Sequence, residues 1–428
     1  MASDDWQPFE SLLSNIVDNR GRTCPTTPTG IPLIATNCVR NDLLYPTYEN
    51  VRHVDPEPGD LLFVTKGTPG RVCMVPDPVD FCIAQDMVAI RADVKKVYPR
   101  FLFALLRSRE VQELIEQLHV GTLIPHFKKG DFDKLVLPIP DRKLQEFIGD
   151  TYFDFSAKIE LNRSMNETLE AMARALFRSW FVDFDPVRAK AEDRDPGLPK
   201  PLADLFPDSF ENSELGEIPR GWCASPVYDL ATYINGAAYR AFEPNEERRG
   251  FPIIKIAELK AGVTAQTRFS DVKMPDKYRI EDGDVLFSWS GNPDTSIDIF
   301  VWNHGPAWLN QHIFRVVPNS AHERAFVLMT LRSLLPVFAE VARNKQTTGL
   351  GHVTVEDLKR LLAVRPPKPV LLGWNTLVEP LLARSFGLEG EDNTLAGLRD
   401  ALLPKLISGE LRIKDAARLP YSEKLVQA

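Results

Sequence analysis

The sequence lacks the features that would place the chain in a membrane, in an oxidising compartment or among small metal proteins. It contains no apolar run near 18 residues, which is about the length that a membrane-spanning helix needs. Its first residues, MASDDWQPFESLL, include neither a basic nor an apolar stretch, so we expect no signal peptide. Its 5 cysteines form no CxxC pair, and its 7 histidines form no HxxxH pair. We therefore expect a cytoplasmic protein with no membrane association, no disulfide framework and no metal site.

Motifs that indicate catalysis are missing or incomplete. Neither GxxxxGK[ST] nor a GxGxxG after a strand occurs, so the common phosphate-binding loops are excluded. The tetrapeptide NPDT at 292–295 resembles the motif of adenine methyltransferases, but it lacks their second proline and their aromatic ring. The dipeptide at 76–77 and the triplet at 93–95 fit only a loose nuclease pattern that would hold Mg²⁺. A recognition module with its own nuclease or methyltransferase activity is therefore the weaker alternative.

The composition is that of an ordinary globular protein with several domains. At about 150 residues per domain, a chain of 428 residues is expected to contain two or three. Hydrophobic residues make up 44% and charged residues 26%, which argues against extensive disorder. The net charge of -8 argues against a uniformly basic surface for nucleic acid and leaves room only for local basic patches.

The most informative feature is an internal repeat with a period near 226 residues. GDLLF at 59–63 recurs as GDVLF at 283–287, and GIPLI at 30–34 recurs as GFPII at 250–254. Further along, single residues recur at one constant offset: Gln85 and Gln311, His126 and His352, Asp131 and Asp357, Leu135 and Leu361, Leu169 and Leu395, Leu176 and Leu402. We therefore predict two copies of one unit, related as a pseudo-twofold repeat.

Each copy is predicted to be a mixed α+β block followed by a long helix. Short β-rich runs such as LLFVT, VCMV, FCIA and MVAI indicate strands between Gly and Pro punctuation. A helical stretch is expected at 98–118 and again at 323–343, and a short helix begins near Lys128 and near Thr354, where Thr354 and Asp357 form a capping pair. The predicted boundaries are block 1 at 1–140, a central helix at 141–182, an extended Pro-rich crossover at 183–220, block 2 at 221–367, a distal helix at 368–413 and a C-terminal tail at 414–428.

The two long helices carry matching apolar positions. Leucines recur seven residues apart at 381, 388, 395 and 402, and the offset of 226 aligns them with 155, 162, 169 and 176. A seven-residue repeat predicts a coiled coil, and the economical partner for each helix is the other one, packed antiparallel. Asn162 is the expected register-fixing polar residue in this seam. Pro380, Gly387 and Gly390 are expected to interrupt the second helix, so packing must compensate for its weak helix propensity.

Three long strings carry a resemblance to a known family. They are NETLEAMARALFRSWFVDFDPVRAKAE at 166–192, ELGEIPRGW at 214–222 and LRDALLPKLISGELRI at 398–413. They resemble conserved regions of the DNA-specificity (S) subunits of type I restriction-modification systems. The resemblance implies a non-catalytic subunit in which two target-recognition domains each contact one half of a split site in double-stranded DNA. It also implies that the long antiparallel helix pair separates these domains and sets the gap.

The resemblance also implies partners. Two modification (methyltransferase) subunits would dock on the conserved helices, and restriction subunits would join the larger complex. This chain would bind no cofactor itself, because S-adenosylmethionine belongs to the methyltransferase subunit and ATP and Mg to the restriction subunit. Since the two blocks differ in sequence, the two half-sites should differ as well. A coiled-coil scaffold that serves only protein assembly remains a second alternative.

Candidate DNA contacts are side chains with paired donors and acceptors, together with cations for phosphates, near predicted turns. In block 1 they are Lys66, Arg71, Thr122, His126, Lys128 and Lys129. In block 2 they are Ser288, Trp289, Ser290, Asn292, Arg343, Lys345, Gln346, Thr347 and His352. The alternative without a DNA contact is that these loops are surface turns and that the two histidines have a structural role.

Candidate partner contacts are residues of the long helices that we expect to be exposed beside the seam. They are Arg174, Arg178, Trp180, Phe181 and Lys405. Aromatic and arginine side chains are common anchors of protein interfaces. Trp180 and Phe181 have a structural alternative, in which they close the end of the helix against a recognition domain.

Overall fold

The computed structural model describes residues 6–18, 31–36, 56–118, 126–345 and 350–411, and only the backbone at 39–40, 43–44 and 48–50. The chain divides into two compact units, Met1–Asn162 with Glu391–Ala428, and Arg163–Gly390. We call them unit 1 and unit 2. The α-helices of the described residues are α1 (Pro99–Leu106), α2 (Arg109–Leu118), α3 (Arg142–Phe181), α4 (Asp185–Ala191), α5 (Lys200–Ala203), α6 (Ile256–Ala261), α7 (Arg324–Ser333), α8 (Leu335–Asn344), α9 (Val355–Arg360) and α10 (Lys368–Ser408).

Unit 1 is built on a four-stranded antiparallel sheet. Its strands lie in the order Leu13–Asp18, Met87–Ala92, Leu61–Val64, Val72–Met74. A smaller sheet joins Ile31–Ile34 to Tyr48–Asn50 antiparallel and to Cys82–Ile83 parallel, Val39–Arg40 pairs with Leu43–Leu44, and Trp6–Pro8 pairs with Val136–Pro138. The buried residues of α1 belong to the same core as Phe9 and as Phe63, which lies in the strand Leu61–Val64 of the larger sheet. The strands predicted from the β-rich runs are confirmed.

Unit 2 repeats the larger sheet strand for strand. Its larger sheet has the order Ala231–Asn235, Ile313–Pro318, Val285–Ser288, Asp298–Val301. Its smaller sheet is Phe269–Ser270, Phe251–Ile254, Ala307–Leu309, Arg279–Ile280, and further pairs join Cys223–Pro226 to Leu362–Arg365, Phe210–Ser213 to Gly216–Pro219, and Ser290–Gly291 to Gly351–His352. The predicted repeat and the mixed α+β class are therefore confirmed.

The repeated GD dipeptide has a structural explanation. Gly59 and Gly283 both have positive φ, of 82° and 90°, where a residue without Cβ is favoured. The carboxylate of Asp60 accepts a hydrogen bond of 2.8 Å from the Arg91 Nε on the neighbouring strand. Asp284 accepts the equivalent bond from Arg315 at 3.0 Å. In both copies the glycine allows the turn and the aspartate bonds it to the neighbouring strand, which explains why the dipeptide recurs.

The helical stretches predicted at 98–118 and 323–343 are each two helices. Between α1 and α2, the Ser108 hydroxyl accepts from the backbone N–H of Val111 and begins the second helix. Between α7 and α8 the break follows from Pro336, which has no N–H to donate and is favoured in a first helical turn. The short helix near Lys128 is a single 3-10 turn, Lys129–Asp131. The predicted capping pair of Thr354 and Asp357 at the start of α9 is confirmed.

Within each unit, segments of α3 and α10 pack against each other antiparallel. In unit 1, Phe155 and Ile159 of α3 cluster with Leu395 of α10. In unit 2, Asn166 Nδ2 donates to Glu389 at 3.2 Å, whereas Phe177 lies 5.9 Å from Trp374 between ring centroids. In both units the residue numbers of α10 fall as those of α3 rise. The predicted antiparallel pair is confirmed.

The expectation that α10 is interrupted at Pro380, Gly387 and Gly390 is wrong. The helix runs for 41 residues without a break. Its buried Val378 and Leu382 belong to the main core of unit 2. Helices in proteins are stabilised chiefly by packing of their apolar side, so this burial outweighs the weak propensity of three residues.

The expectation of an extended crossover at 183–220 is also wrong. The segment contains α4, α5 and a hairpin, and the buried Phe184, Val187, Phe206 and Ile218 join the core of unit 2. Phe206 lies 4.8 Å from Trp180, and Phe184 lies 5.9 Å from Trp222, between ring centroids. The prolines indicated an extended conformation, but the aromatic and apolar residues between them bury enough surface to fold the segment.

Candidate nucleic-acid interface

The two candidate loops of block 2 meet in the structure. Ser290 pairs with His352 and Gly291 with Gly351 in a short antiparallel ladder. The backbone N–H of Val353 also donates to the Trp289 carbonyl at 2.8 Å. The sequence offered these segments as separate candidates, and the fold brings them together beyond one edge of the larger sheet of unit 2.

The equivalent loops of block 1 meet in the same way. Lys66 forms an antiparallel bridge with His126, and the Phe127 N–H donates to the Thr65 carbonyl at 2.9 Å. His126 and His352 are separated by the repeat offset, so both copies place a histidine at the same point of the fold. The Nδ1 atom of His126 is buried and has no hydrogen-bond partner among the residues that the structure describes.

Trp289 is held at this edge by residues from two other strands. Its indole N–H donates to Asn235 Oδ1 at 3.1 Å, at the end of the strand Ala231–Asn235. Its ring lies 5.7 Å from His312 and 5.6 Å from Phe314, measured between centroids. Sequence reasoning missed Asn235 and His312 because they are far from Trp289 in the chain. Their only signal is that each flanks a β-rich run.

Two cations of block 2 are engaged in ion pairs. Arg343 Nη2 lies 2.7 Å from Asp294 Oδ1, and both side chains are largely exposed. Lys345 Nζ contacts both carboxylate oxygens of the buried Asp357, at 2.5 and 2.6 Å. Burial opposes ionisation of Asp357, but the hydrogen bonds from Lys345 and Thr354 prevail and hold its pKa below the usual range. Lys345 therefore anchors α9, which is a structural role.

The cations of block 1 are more open. Lys66, Arg71 and Lys128 are exposed, and Asp131, the equivalent of Asp357, pairs with Lys134 at 2.6 Å. The Lys134 ammonium lowers the pKa of Asp131, against the effect of burial. Basic side chains near a turn suit phosphate contacts, so this loop is the better candidate for an electrostatic contact.

Some candidate residues are placed differently from expectation, and some cannot be placed. Ser288 is fully buried, so its hydroxyl does not reach the surface as a DNA contact requires. Ser290 and Asn292 do lie on the loop, half-buried and exposed respectively. Thr122, Gln346 and Thr347 lie outside the described residues, and so does the side chain of Lys129.

The expected exposure of Trp180 and Phe181 is wrong. They are 1% and 5% exposed and pack against Trp374, with ring centroids 5.7 and 4.9 Å away. They close the end of α3 inside unit 2. Arg174, Arg178 and Lys405 are exposed as expected, and the first two pair with Glu170 and Asp183.

Sequence reasoning missed an exposed apolar face of α3. Met165 and Met172 are 36% and 48% exposed, and their spacing of seven residues puts them on one side of the helix. The signal was available, because a second seven-residue spacing runs beside the seam. We call Met165 and Met172 the outer face of α3.

Two kinds of feature are missing from the described part of the chain. No group of three or more His, Cys, Asp and Glu side chains suits a metal ion there. No single helix in it is long and apolar enough to cross a membrane; only the bent pair Ala321–Ser333 and Leu335–Asn344 reaches that length and composition together.

Comparisons with known proteins point in one direction. The sequence profile of the type I restriction modification DNA specificity domain matches the chain twice, at residues 13–171 and 219–368. A type I restriction enzyme specificity subunit, HindI of Haemophilus influenzae, is 26% identical over 408 residues, covering 82% of this chain and 86% of the relative. The MjaIX specificity subunit of Methanocaldococcus jannaschii is 24% identical, covering 74% and 70%. The crystal structure of a type I restriction-modification S subunit from M. genitalium shares the fold, with a TM-score of 0.62, 17% identity and coverage of 94% and 95%.

Proposed function

The chain belongs to the family of type I restriction-modification DNA specificity domains, and on that premise we propose that it is the non-catalytic DNA-recognition subunit of such a complex. It contacts a bipartite, asymmetric site in double-stranded DNA and works in the cytoplasm. One observation carries the proposal. The chain contains the same α+β block twice, and each block brings two loops rich in hydrogen-bonding side chains together at the same edge of its sheet.

The asymmetry of the site follows from differences between the two edges. Block 1 presents Lys66 where block 2 presents Ser290, whereas both copies place a histidine, His126 or His352, opposite that residue. Bases are distinguished by the pattern of donors and acceptors that the protein offers. Two edges with unlike side chains therefore favour two unlike half-sites. A palindromic site is expected only from two identical blocks.

The gap between half-sites is assigned to the helix pair. α3 has 40 residues and α10 has 41, so each is about 60 Å long at about 1.5 Å per residue. Half-sites contacted from one side of DNA lie about 34–36 Å apart or at multiples of that distance. Helices of this length are of the right order to set such a gap.

Partners dock on the helices in this proposal. The outer face of α3 is apolar and exposed, and the exposed Arg174 and Arg178 lie on the opposite side of the same helix. Apolar and guanidinium groups are both kinds of side chain that anchor protein interfaces. On α10 the candidate contact is Lys405, which is exposed in the last turn of that helix. Because the helix occurs in both copies, we propose two methyltransferase subunits per chain, with restriction subunits added to them. S-adenosylmethionine is then bound by the methyltransferase, and ATP and Mg by the restriction subunit.

The main test is to co-express the chain with its methyltransferase subunit and map methylated bases in genomic DNA. We expect one motif with two unlike specific patches separated by a fixed gap of unspecified bases. Footprinting of the same complex should protect both patches. Absence of any sequence-specific protection would favour the scaffold alternative.

A second measurement addresses the enzyme alternative. The purified chain alone is incubated with DNA and labelled S-adenosylmethionine, and separately with DNA and Mg²⁺. We expect neither methyl transfer nor cleavage, since the partners supply both. Turnover by the chain alone would overturn its assignment as a non-catalytic subunit.

The docking assignment is tested with Met172→Glu. A buried unpaired carboxylate opposes association, so co-purification of the methyltransferase should fall at least about tenfold. Ala157→Glu is the matched control, because Ala157 is exposed on the same helix and lies about 22 Å from Met172 along its axis. Both variants should unfold at the wild-type temperature. Equal retention of the partner by both variants would contradict docking at the outer face.

A further inference from the structure

Three side chains from different strands converge at the sheet edge of block 2. Asn235 ends one strand, Trp289 follows the end of a second, and His312 precedes a third. The indole N–H of Trp289 donates to Asn235 Oδ1 at 3.1 Å, and the Trp289 N–H donates to the His312 carbonyl at 3.4 Å. We call these three residues the edge triad. The three residues hold one another in place, because Trp289 hydrogen-bonds to both Asn235 and His312.

The triad leaves hydrogen-bonding groups facing outwards. Asn235 is exposed, its Oδ1 has a second lone pair, and its Nδ2 donates to no group in the part of the chain that the structure describes. Gln311 Nε2 lies 3.2 Å from His312 Nε2. An amide nitrogen only donates, so this contact is a hydrogen bond when the histidine Nε2 accepts. His312 Nδ1 then carries the proton.

The two copies show that the triad is not required by the fold. Positions that maintain the fold are the same in both, as Asp60 with Arg91 and Asp284 with Arg315 demonstrate. At the triad the backbone pairing is the same but the side chains differ. The sheet register and the repeat offset place Asp18, Thr65 and Asp86 of block 1 where block 2 has Asn235, Trp289 and His312.

The block 1 residues also have other functions. Asp86 accepts hydrogen bonds from the backbone N–H and the hydroxyl of Thr36, so its carboxylate secures a neighbouring strand. His312 makes no such bond among the described residues and is exposed. The exposed amide and imidazole around the half-buried tryptophan are not used by the core, and their hydrogen-bonding groups suit contact with a ligand.

We propose that the edge triad is the base-contacting element of block 2, and that Asn235 contacts an adenine of the second half-site. An asparagine amide matches adenine in the major groove, since Oδ1 accepts from N6 and Nδ2 donates to N7. Trp289 holds the amide plane in position through the first lone pair of Oδ1. The inference rests on the function proposed above and names the residues that carry it out.

The test uses the isosteric change Asn235→Asp. The aspartate keeps the acceptor for the Trp289 indole, so the fold of the edge is retained. It loses the donor for adenine N7 and gains an acceptor that suits cytosine N4. Asn15→Asp is the matched control, because Asn15 is an exposed asparagine whose Oδ1 likewise accepts a hydrogen bond, from the Ile16 N–H, that aspartate retains.

The complex of each variant with its methyltransferase is given a DNA library randomised at every position of the wild-type motif. For Asn235→Asp we expect at least about a tenfold loss of preference for adenine at one position of the second half-site, and a gain for cytosine. The preferences of Asn235→Asp at the first half-site, and those of Asn15→Asp at every position, should stay as in the wild type. An independent check is Trp289→Phe, which should weaken the same position because it releases the amide.

The outcomes separate the inference from the function on which it rests. A wild-type motif for Asn235→Asp, with normal melting temperature, overturns the triad and leaves the bipartite recognition intact. A uniform loss of methylation over all sequences, without a change at one position, assigns Asn235 a structural role and also overturns it. If the wild-type complex itself selects no bipartite motif, the proposed function fails first.

Discussion

At the scale of single residues, the sequence identified chemistry but not burial. Lysine and serine suit DNA contacts, so the sequence alone predicts Lys345 and Ser288 as candidates. The structure commits the first to Asp357 and buries the second within a strand. Which side of a strand faces the core depends on its register with its neighbours, and this register is set by distant residues. Asn235 and His312 were missed for the same reason.

Asp357 allows a prediction of pH dependence. Asp357→Asn removes the charge that pairs with Lys345 and the carboxylate that accepts from the Thr354 N–H. Hydrogen bonds to charged groups contribute about 1.5–3 kcal/mol, so the free energy of unfolding should fall by about that amount at pH 7. Because the pKa of Asp357 is lowered in the folded state, this contribution is full above the ordinary aspartate pKa of about 3.9. It is lost as the pH falls through the lower folded value.

Urea unfolding at pH 7, 5 and 3 measures the difference between Asp357→Asn and the wild type. The difference should be similar at the first two pH values and should shrink at pH 3 and below. Glu356→Gln is the matched control, since Glu356 is an exposed neighbour that pairs with the exposed Lys359. A difference that stays constant from pH 7 to pH 3 would mean that the charge of Asp357 contributes nothing.

At the scale of elements, periodicity predicted the helices well and local breakers predicted their ends poorly. The apolar spacing located α3, which spans Arg142–Phe181, because burial of one side is what stabilises such a helix. Prolines and glycines misled in two places, at the crossover and in α10. Their effect on the backbone is about 1–3 kcal/mol each, which a well-packed core exceeds.

The end of α3 gives a prediction about the core of unit 2. Trp180 is fully buried among Phe206, Trp374 and Phe181. Trp180→Ala leaves a cavity, and such changes cost about 3–5 kcal/mol. Met172→Ala, at an exposed site of the same helix, should cost less than about 0.5 kcal/mol. Denaturant titration of both variants checks this contrast, and similar losses would contradict the burial of Trp180.

The seam contains a buried polar residue, Asn162, that we expect to contribute to specificity rather than to stability. Asn162 is 0% exposed, and its Nδ2 donates to Glu391 Oε2 at 3.1 Å and Asp392 Oδ1 at 2.9 Å. Its Oδ1 is buried without a partner among the described residues, which costs free energy. A single polar residue in such a seam fixes the register of the helices at some expense of stability.

Asn162→Leu should therefore raise or preserve the unfolding temperature while it weakens the register. In the complex with methyltransferase, we expect methylation at sites with more than one gap length. Glu167→Leu, at an exposed position of the same helix, should leave a single gap length. A variant that is strongly destabilised and still keeps one gap would show that Asn162 is needed for folding instead.

At the scale of the whole molecule, the sequence predicted the internal repeat well but did not predict which segments form each compact unit. The boundaries predicted from the sequence divide the chain in order, so that each block is grouped with the long helix that follows it. The structure groups block 1 with the beginning of α3 and the end of α10, and block 2 with the end of α3 and the beginning of α10. Antiparallel pairing of two repeated helices produces this exchange, and chain order alone does not contain it.

The proposed role of the helix pair predicts how the target changes with helix length. Four residues inserted into both helices at facing positions, near Asn162 and near Glu391, lengthen the pair by about 6 Å. Base pairs rise by about 3.4 Å each, so the gap in the methylated motif should grow by one or two base pairs. Both half-sites should stay unchanged, because the blocks are untouched. Insertion into the tail after Leu411 is the control and should leave the gap as it is. A lengthened helix pair with the original gap would mean that the spacing of the half-sites is set elsewhere in the complex.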